Sequence, residues 1–196
     1  MSNVVDLRLA IVPGLDDSGP AHWQSWLQGQ VPGSVRAVQR DWQTPDLERW
    51  AARVAGTLDR AGRGPWLIAA HSFGCLATVQ ALVQRPDLDV RAVLLVAPAE
   101  PAKFGLAEAL PQRRLRMPGL LVASQTDPWM SAASAARWAQ RWGCHHLNLG
   151  DAGHINTAAG FGPLPLARRW VLAQQQRHAA ALRPQHAAWA EWSFAV

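Results

Sequence analysis

The chain has 196 residues, 49% of them hydrophobic and 17% charged, the composition of one globular domain with a well-buried core. Its formal charge of +5 comes from arginines spread along the sequence, apart from Arg113, Arg114, Arg116 and the pair Arg168 and Arg169, and no nucleic-acid module accompanies them, so nucleic acid is not an expected partner. No apolar run approaches the roughly 20 residues that span a bilayer, and Met1 to Asp6 lacks a basic region ahead of a long apolar stretch, so neither a membrane contact nor a signal peptide is expected.

In chain order, Leu7 to Val12 reads as a buried strand and Pro20 to Gln30 as a helix carrying His22, Trp23, Trp26 and Leu27. Val35 to Gln39 predicts a second strand. A helix follows, with Thr44 as N-cap and Pro45 in its first turn, and Leu47, Trp50, Val54 and Leu58 recur on it at helical spacing. A third apolar strand from Trp66 runs into a helix that carries Leu76, Val79, Leu82 and Val83. Val90 to Ala97 is a fourth strand, Gly119 to Ser124 a fifth and His145 to Leu149 a sixth, with a helix from Ser131 to Arg141 between the last two. A final helix begins near Pro163 to Pro165 and passes through Trp170, Val171 and Leu172. Strictly alternating strands and helices predict a parallel sheet with helices on both faces, in the order 2-1-3-4-5-6, and a site at the carboxyl ends of the strands. One domain over 1–182 is expected. The tail 183–196, with Trp189, Trp192 and Phe194, is either docked, a protein-binding segment or loosely ordered.

The junction Ala70-His71-Ser72-Phe73-Gly74 is the most informative point in the chain, because an apolar strand stops at a serine and a helix begins at once. A nucleophile elbow needs small residues two before and two after the serine, where the backbones crowd. Gly74 is one; Ala70 stands where glycine is usual and adds a single methyl. A serine hydroxyl is a weak nucleophile and needs a histidine base held by an acid. Asp127 follows the fifth strand and His154 follows the sixth, so Ser72, Asp127 and His154 come in the chain order of α/β-hydrolases. Asp151 is the rival acid, but it lies on the histidine's own loop. The loop Pro13 to Pro20 passes the same sheet edge, where the backbone N–H of Leu15 is expected to pair with that of Phe73 as an oxyanion hole.

Cys75 and Cys144 form no disulfide framework and fit a reducing compartment, hence the cytoplasm, and Cys75 reads as a packed apolar residue. His145, His146, Asp151 and His154 are close in sequence, but adjacent strand residues face opposite sides, so no metal and no cofactor is expected. The stretch Pro98 to Pro118, with Phe104, Leu106, Leu110 and Leu115, has room for one short helix over the site and none for a large cap. Trp23 and Trp129 are expected to wall a small acyl pocket.

The segments Ile11 to Leu15, Ser18 to Trp26, His71 to Cys75, Asp127-Pro128 and Gly153 to Asn156 together resemble the YdeN-like serine hydrolases, a family that includes the retinoblastoma-binding protein of vertebrates. The resemblance runs from about residue 7 to residue 175. It implies a compact α/β-hydrolase without a large cap domain, a Ser-Asp-His triad and esterase-type activity on small acyl substrates. It does not extend to a Leu-x-Cys-x-Glu segment, since neither cysteine lies in one. The expected function is a serine esterase acting through an acyl-enzyme. The alternative is an interaction or scaffold protein with a residual hydrolase site.

Overall fold

Strands buried on both faces read as unbroken apolar runs, and the two longest such runs form the centre of the sheet in the computed structural model, which describes residues 7–182. The expectations for the tail 183–196 lie outside these residues. The strands are β1 (Arg8–Val12), β2 (Val35–Arg36), β3 (Trp66–His71), β4 (Val90–Val96), β5 (Gly119–Ala123) and β6 (His145–Asn148). They pair in parallel throughout, in the order β2-β1-β3-β4-β5-β6. The winding direction therefore reverses between β1 and β3, and that reversal opens a crevice at their carboxyl ends.

Two layers of helix cover the sheet. α1 (Trp23–Gln30) and α5 (Pro165–Ala181) bury Trp23, Leu27, Ala167 and Val171 on one face. α2 (Leu47–Arg60), α3 (Phe73–Gln84) and α4 (Ala132–Trp142) bury Trp50, Val54, Leu76, Val79, Trp138 and Trp142 on the other. α3 lies between the sheet and α2 and buries ten consecutive residues from Phe73 to Leu82, so it reads as apolar all round, while α2 keeps the one-sided stripe of a surface helix. Among the described residues no helix is long and apolar enough to cross a membrane.

Several boundaries differ from expectation. The predicted second strand pairs only at Val35–Arg36, and α1 begins at Trp23 because His22 caps it, its side chain accepting from the N–H of Gln24. Thr44 is not the cap of α2. Asp41 takes both its N–H and its hydroxyl, and Asp46 caps the helix by accepting from the N–H of Arg49 at 3.0 Å. The stretch after β4 makes a single 3₁₀ turn, Pro101–Phe104, ended by Gly105 at a φ of 68°. From there the chain is pinned irregularly to the core, with Leu110 buried and the Pro111 carbonyl accepting from Trp142 Nε1. Prolines at 101, 111 and 118 remove donors that a longer helix would need.

Candidate active site

Ser72, Asp127 and His154 each lie on the segment that follows a strand, β3, β5 and β6 in turn. Ser72 ends β3 and starts α3 with φ 53° and ψ −127°, a conformation that costs an L-residue of order 1–3 kcal/mol. Its side chain makes no capping bond, so the turn serves to expose Oγ. The elbow is tight because β1 crosses it. A Cβ on Gly74 would stand 2.2 Å from the Pro13 carbonyl oxygen, and one on Gly14 would stand 2.7 Å from Ser72 Cβ. Glycine at both positions lets the loop after β1 lie against the serine. Ala70, two residues before Ser72, is fully buried in register with Val12 of β1.

Ser72 Oγ is 2.9 Å from His154 Nε2, and His154 Nδ1 is 2.9 and 3.0 Å from the two oxygens of Asp127. A carboxylate only accepts, so the imidazole carries its proton on Nδ1 and turns a lone pair toward the serine hydroxyl. Asp127 also accepts from the N–H of Trp129 at 2.8 Å, and all three side chains are buried.

The loops that carry the acid and the histidine are tied together. Ser124 Oγ donates to the Gly150 carbonyl and accepts from the N–H groups of Ala152 and Thr126, while Thr126 Oγ1 donates to Asp151 and accepts from the N–H of Gly153. Asp151 thus clamps the two loops and makes no bond to His154. Ile155, next to the histidine, holds a φ of 48° and is fully buried. A β-branched residue adopts that conformation only where its surroundings over-determine it.

Two further histidines sit behind the first. His71 Nε2 is 3.0 Å from the His154 carbonyl oxygen and so donates to it, and its ring centre is 4.8 Å from those of both His154 and His22. Burial, with His154 and His22 close by, holds His71 well below the usual histidine range. Burial, then Arg36 and His154, lowers His22 to about 4. The loop over Ser72 is held from β2, where Arg36 bonds Asp17 at 2.9 Å, the Ser18 carbonyl, Ser25 and Gln28.

A cleft of about 260 Å³ opens over Ser72 and His154, and its lining includes Leu15, Asp16, His22, Phe104 and Trp129. Phe104 packs on Phe73, and Trp129 stands 6.1 Å from His154 with its outer face in solvent. Trp23 does not wall this cleft as expected. It is fully buried in the core behind His71 and His22, because α1 starts at Trp23 and turns the ring toward the sheet. A larger groove of about 530 Å³ between α1 and α5 contains none of these residues. Sequence reading also left His22, His71, Ser124, Thr126 and Arg36 without a role. His22 and His71 lay inside the quoted motifs, but nothing in a linear pattern tells which polar atoms become buried together.

Comparison with known proteins gives the family and the fold. A family model described as serine hydrolase matches residues 9–174. The chain is 36% identical to a YdeN-like hydrolase of Pectobacterium atrosepticum, covering 88% of this chain and 92% of that one, with a TM-score of 0.83. It is 21% identical to the ydeN gene product of B. subtilis over 85% and 97% of the two chains, with a TM-score of 0.68. The carboxylesterase CesB of Bacillus subtilis, 12% identical over 86% and 83% with a TM-score of 0.62, shares the fold. No curated protein matches the chain.

Proposed function

Because the chain belongs to the serine hydrolase family, among the YdeN-like α/β-hydrolases, we propose that it is a serine-dependent hydrolase of small carboxylic esters. The observation that carries this reading is the buried chain of hydrogen bonds from Ser72 through His154 to Asp127. In the reaction Ser72 Oγ attacks the ester carbonyl while His154 Nε2 takes its proton, and Asp127 stabilises the imidazolium that forms. The tetrahedral oxyanion accepts from the N–H groups of Leu15 and Phe73, neither of which is used by another group among the described residues. His154 then returns the proton to the alcohol as it leaves. Water attacks the acyl-enzyme by the same route and frees the acid and Ser72.

The small cleft, and a connection between β4 and β5 whose one helical element is the short turn Pro101–Phe104, favour a compact substrate. Each further methylene gains about 0.8 kcal/mol only while there is wall to bury it, so turnover is expected to peak at short acyl chains of about two to six carbons. A fluorophosphonate probe together with p-nitrophenyl esters from acetate to palmitate tests the proposal. Labelling and turnover are expected in the wild type and neither in Ser72→Ala, which should melt like the wild type. Labelling that survives in Ser72→Ala would remove the nucleophile. Faster turnover of emulsified palmitate than of butyrate would remove the short-chain assignment.

A further inference from the structure

His22 holds a hydrogen-bond donor that the fold does not consume. Its Nδ1 accepts from the N–H of Gln24 at 3.1 Å, so the neutral ring must carry its proton on Nε2. That N–H has no protein partner among the described residues, yet it is not sealed from solvent, and the ring lines the cleft with Ser72 and His154. The residue is 5% exposed, so only water or a small group that enters the cleft can reach it. Its base is rigid. Gln24, fully buried, donates from Nε2 to the carbonyls of Val12, at the end of β1, and Ala69, within β3, and accepts from Ser18 Oγ. His71 packs edge-on against the ring at 4.8 Å.

We propose that His22 is a specificity residue whose Nε2–H donates to a neutral oxygen of the substrate, a hydroxyl, ether or carbonyl beside the scissile ester. This rests on the hydrolase reading above. The class of acceptor follows from charge. The cleft lining holds Asp16 and no lysine or arginine, and Asp17, also in the lining, is already paired with Arg36, so nothing there offers an anionic group a free cation, while a cationic group offers a donor no lone pair. With His22 lowered to about 4, the ring stays a neutral, single-tautomer donor above that pH. A buried donor left unpaired penalises a substrate that lacks the acceptor.

The test compares p-nitrophenyl methoxyacetate with butyrate, and 3-methoxypropanoate with pentanoate, in the wild type and in His22→Asn. Each pair differs by one oxygen for one methylene, and asparagine can keep the helix cap. The ratio of kcat/KM within a pair, oxygen ester over alkyl ester, cancels any loss of folded enzyme, and comparing that ratio between wild type and variant cancels the intrinsic reactivity of the esters. This ratio should fall about tenfold in His22→Asn for at least one pair, the effect of one neutral hydrogen bond. Ratios that stay the same in both pairs, whether or not both esters slow together, would overturn the role of His22 and leave the hydrolase reading standing. No ester turnover and no Ser72 labelling in the wild type would remove both.

Discussion

At the scale of single residues, two aspartates compete for one role, and their hydrogen bonds separate them. Asp127 meets the Nδ1 of His154 with both oxygens, whereas Asp151 accepts from Thr126 and leaves the imidazole alone. Asp127→Asn should keep the shape of the site but favour the wrong imidazole tautomer, lowering kcat by about 10⁴-fold as in other triads. Asp151→Asn retains an oxygen for Thr126 and should lose less than about tenfold. Side-by-side kcat values check this, and a reversed order would transfer the acid role to Asp151. The sequence already favoured Asp127 because acids of this kind stand at a strand end. It carried no sign that Asp151 would join the loops, since its partner Thr126 lies 25 positions away.

Between elements, the decisive contact is the crossing of β1 and the elbow. The Gly74 position admits no side chain, because its Cβ would overlap backbone oxygens of Pro13 and Val12 at 2.2 and 2.6 Å, and backbone cannot rotate away. Gly74→Ala must push the loop after β1 off Ser72. It should therefore lose about 1–3 kcal/mol of stability, a typical cost of overpacking, together with most of its turnover. Gly29, on α1, has open space around it and does not line the cleft, so Gly29→Ala serves as the control. Urea midpoints and ester rates for the two variants check the argument, and equal behaviour would show that the crossing is looser than it looks. Gly74 was legible as a small-residue requirement of the motif. Thr44 has the residue type and position of a helix cap, but Asp41, three residues earlier, takes its N–H and its hydroxyl.

For the molecule as a whole, placing three histidine rings at the end of the sheet carries a cost in acid. His22 and His71 are held neutral by burial and by their neighbours, His22 at about 4 against an ordinary 6.5. The unfolded chain therefore binds more protons than the native one below pH 6.5, and stability must fall as pH falls. The loss should begin near 6.5 and continue to about 4 for His22, and further for His71. Urea midpoints between pH 7.5 and 4.5 should decline over that window, most carboxylates being still ionised in its upper part. His22→Asn should show a shallower slope. A midpoint that is flat from pH 7 to pH 5 would mean that these rings accept protons without unfolding.

The alternation of strands and helices, the elbow at Ser72 and the strand-end positions of Asp127 and His154 were all legible along the chain. Those features rest on local periodicity and on short motifs whose chemistry acts within a few residues. Tertiary structure alone decided that Trp23 belongs to the core and His22 to the cleft. The two are neighbours in the chain, and the point at which α1 begins separates them. It also decided that Arg36 would hold the loop over Ser72, and that Ser124 and Thr126 would fasten the loops bearing Asp127 and His154. Such roles depend on which distant polar groups are buried side by side, and burial is a property of the packed sheet and its helices rather than of any stretch of chain.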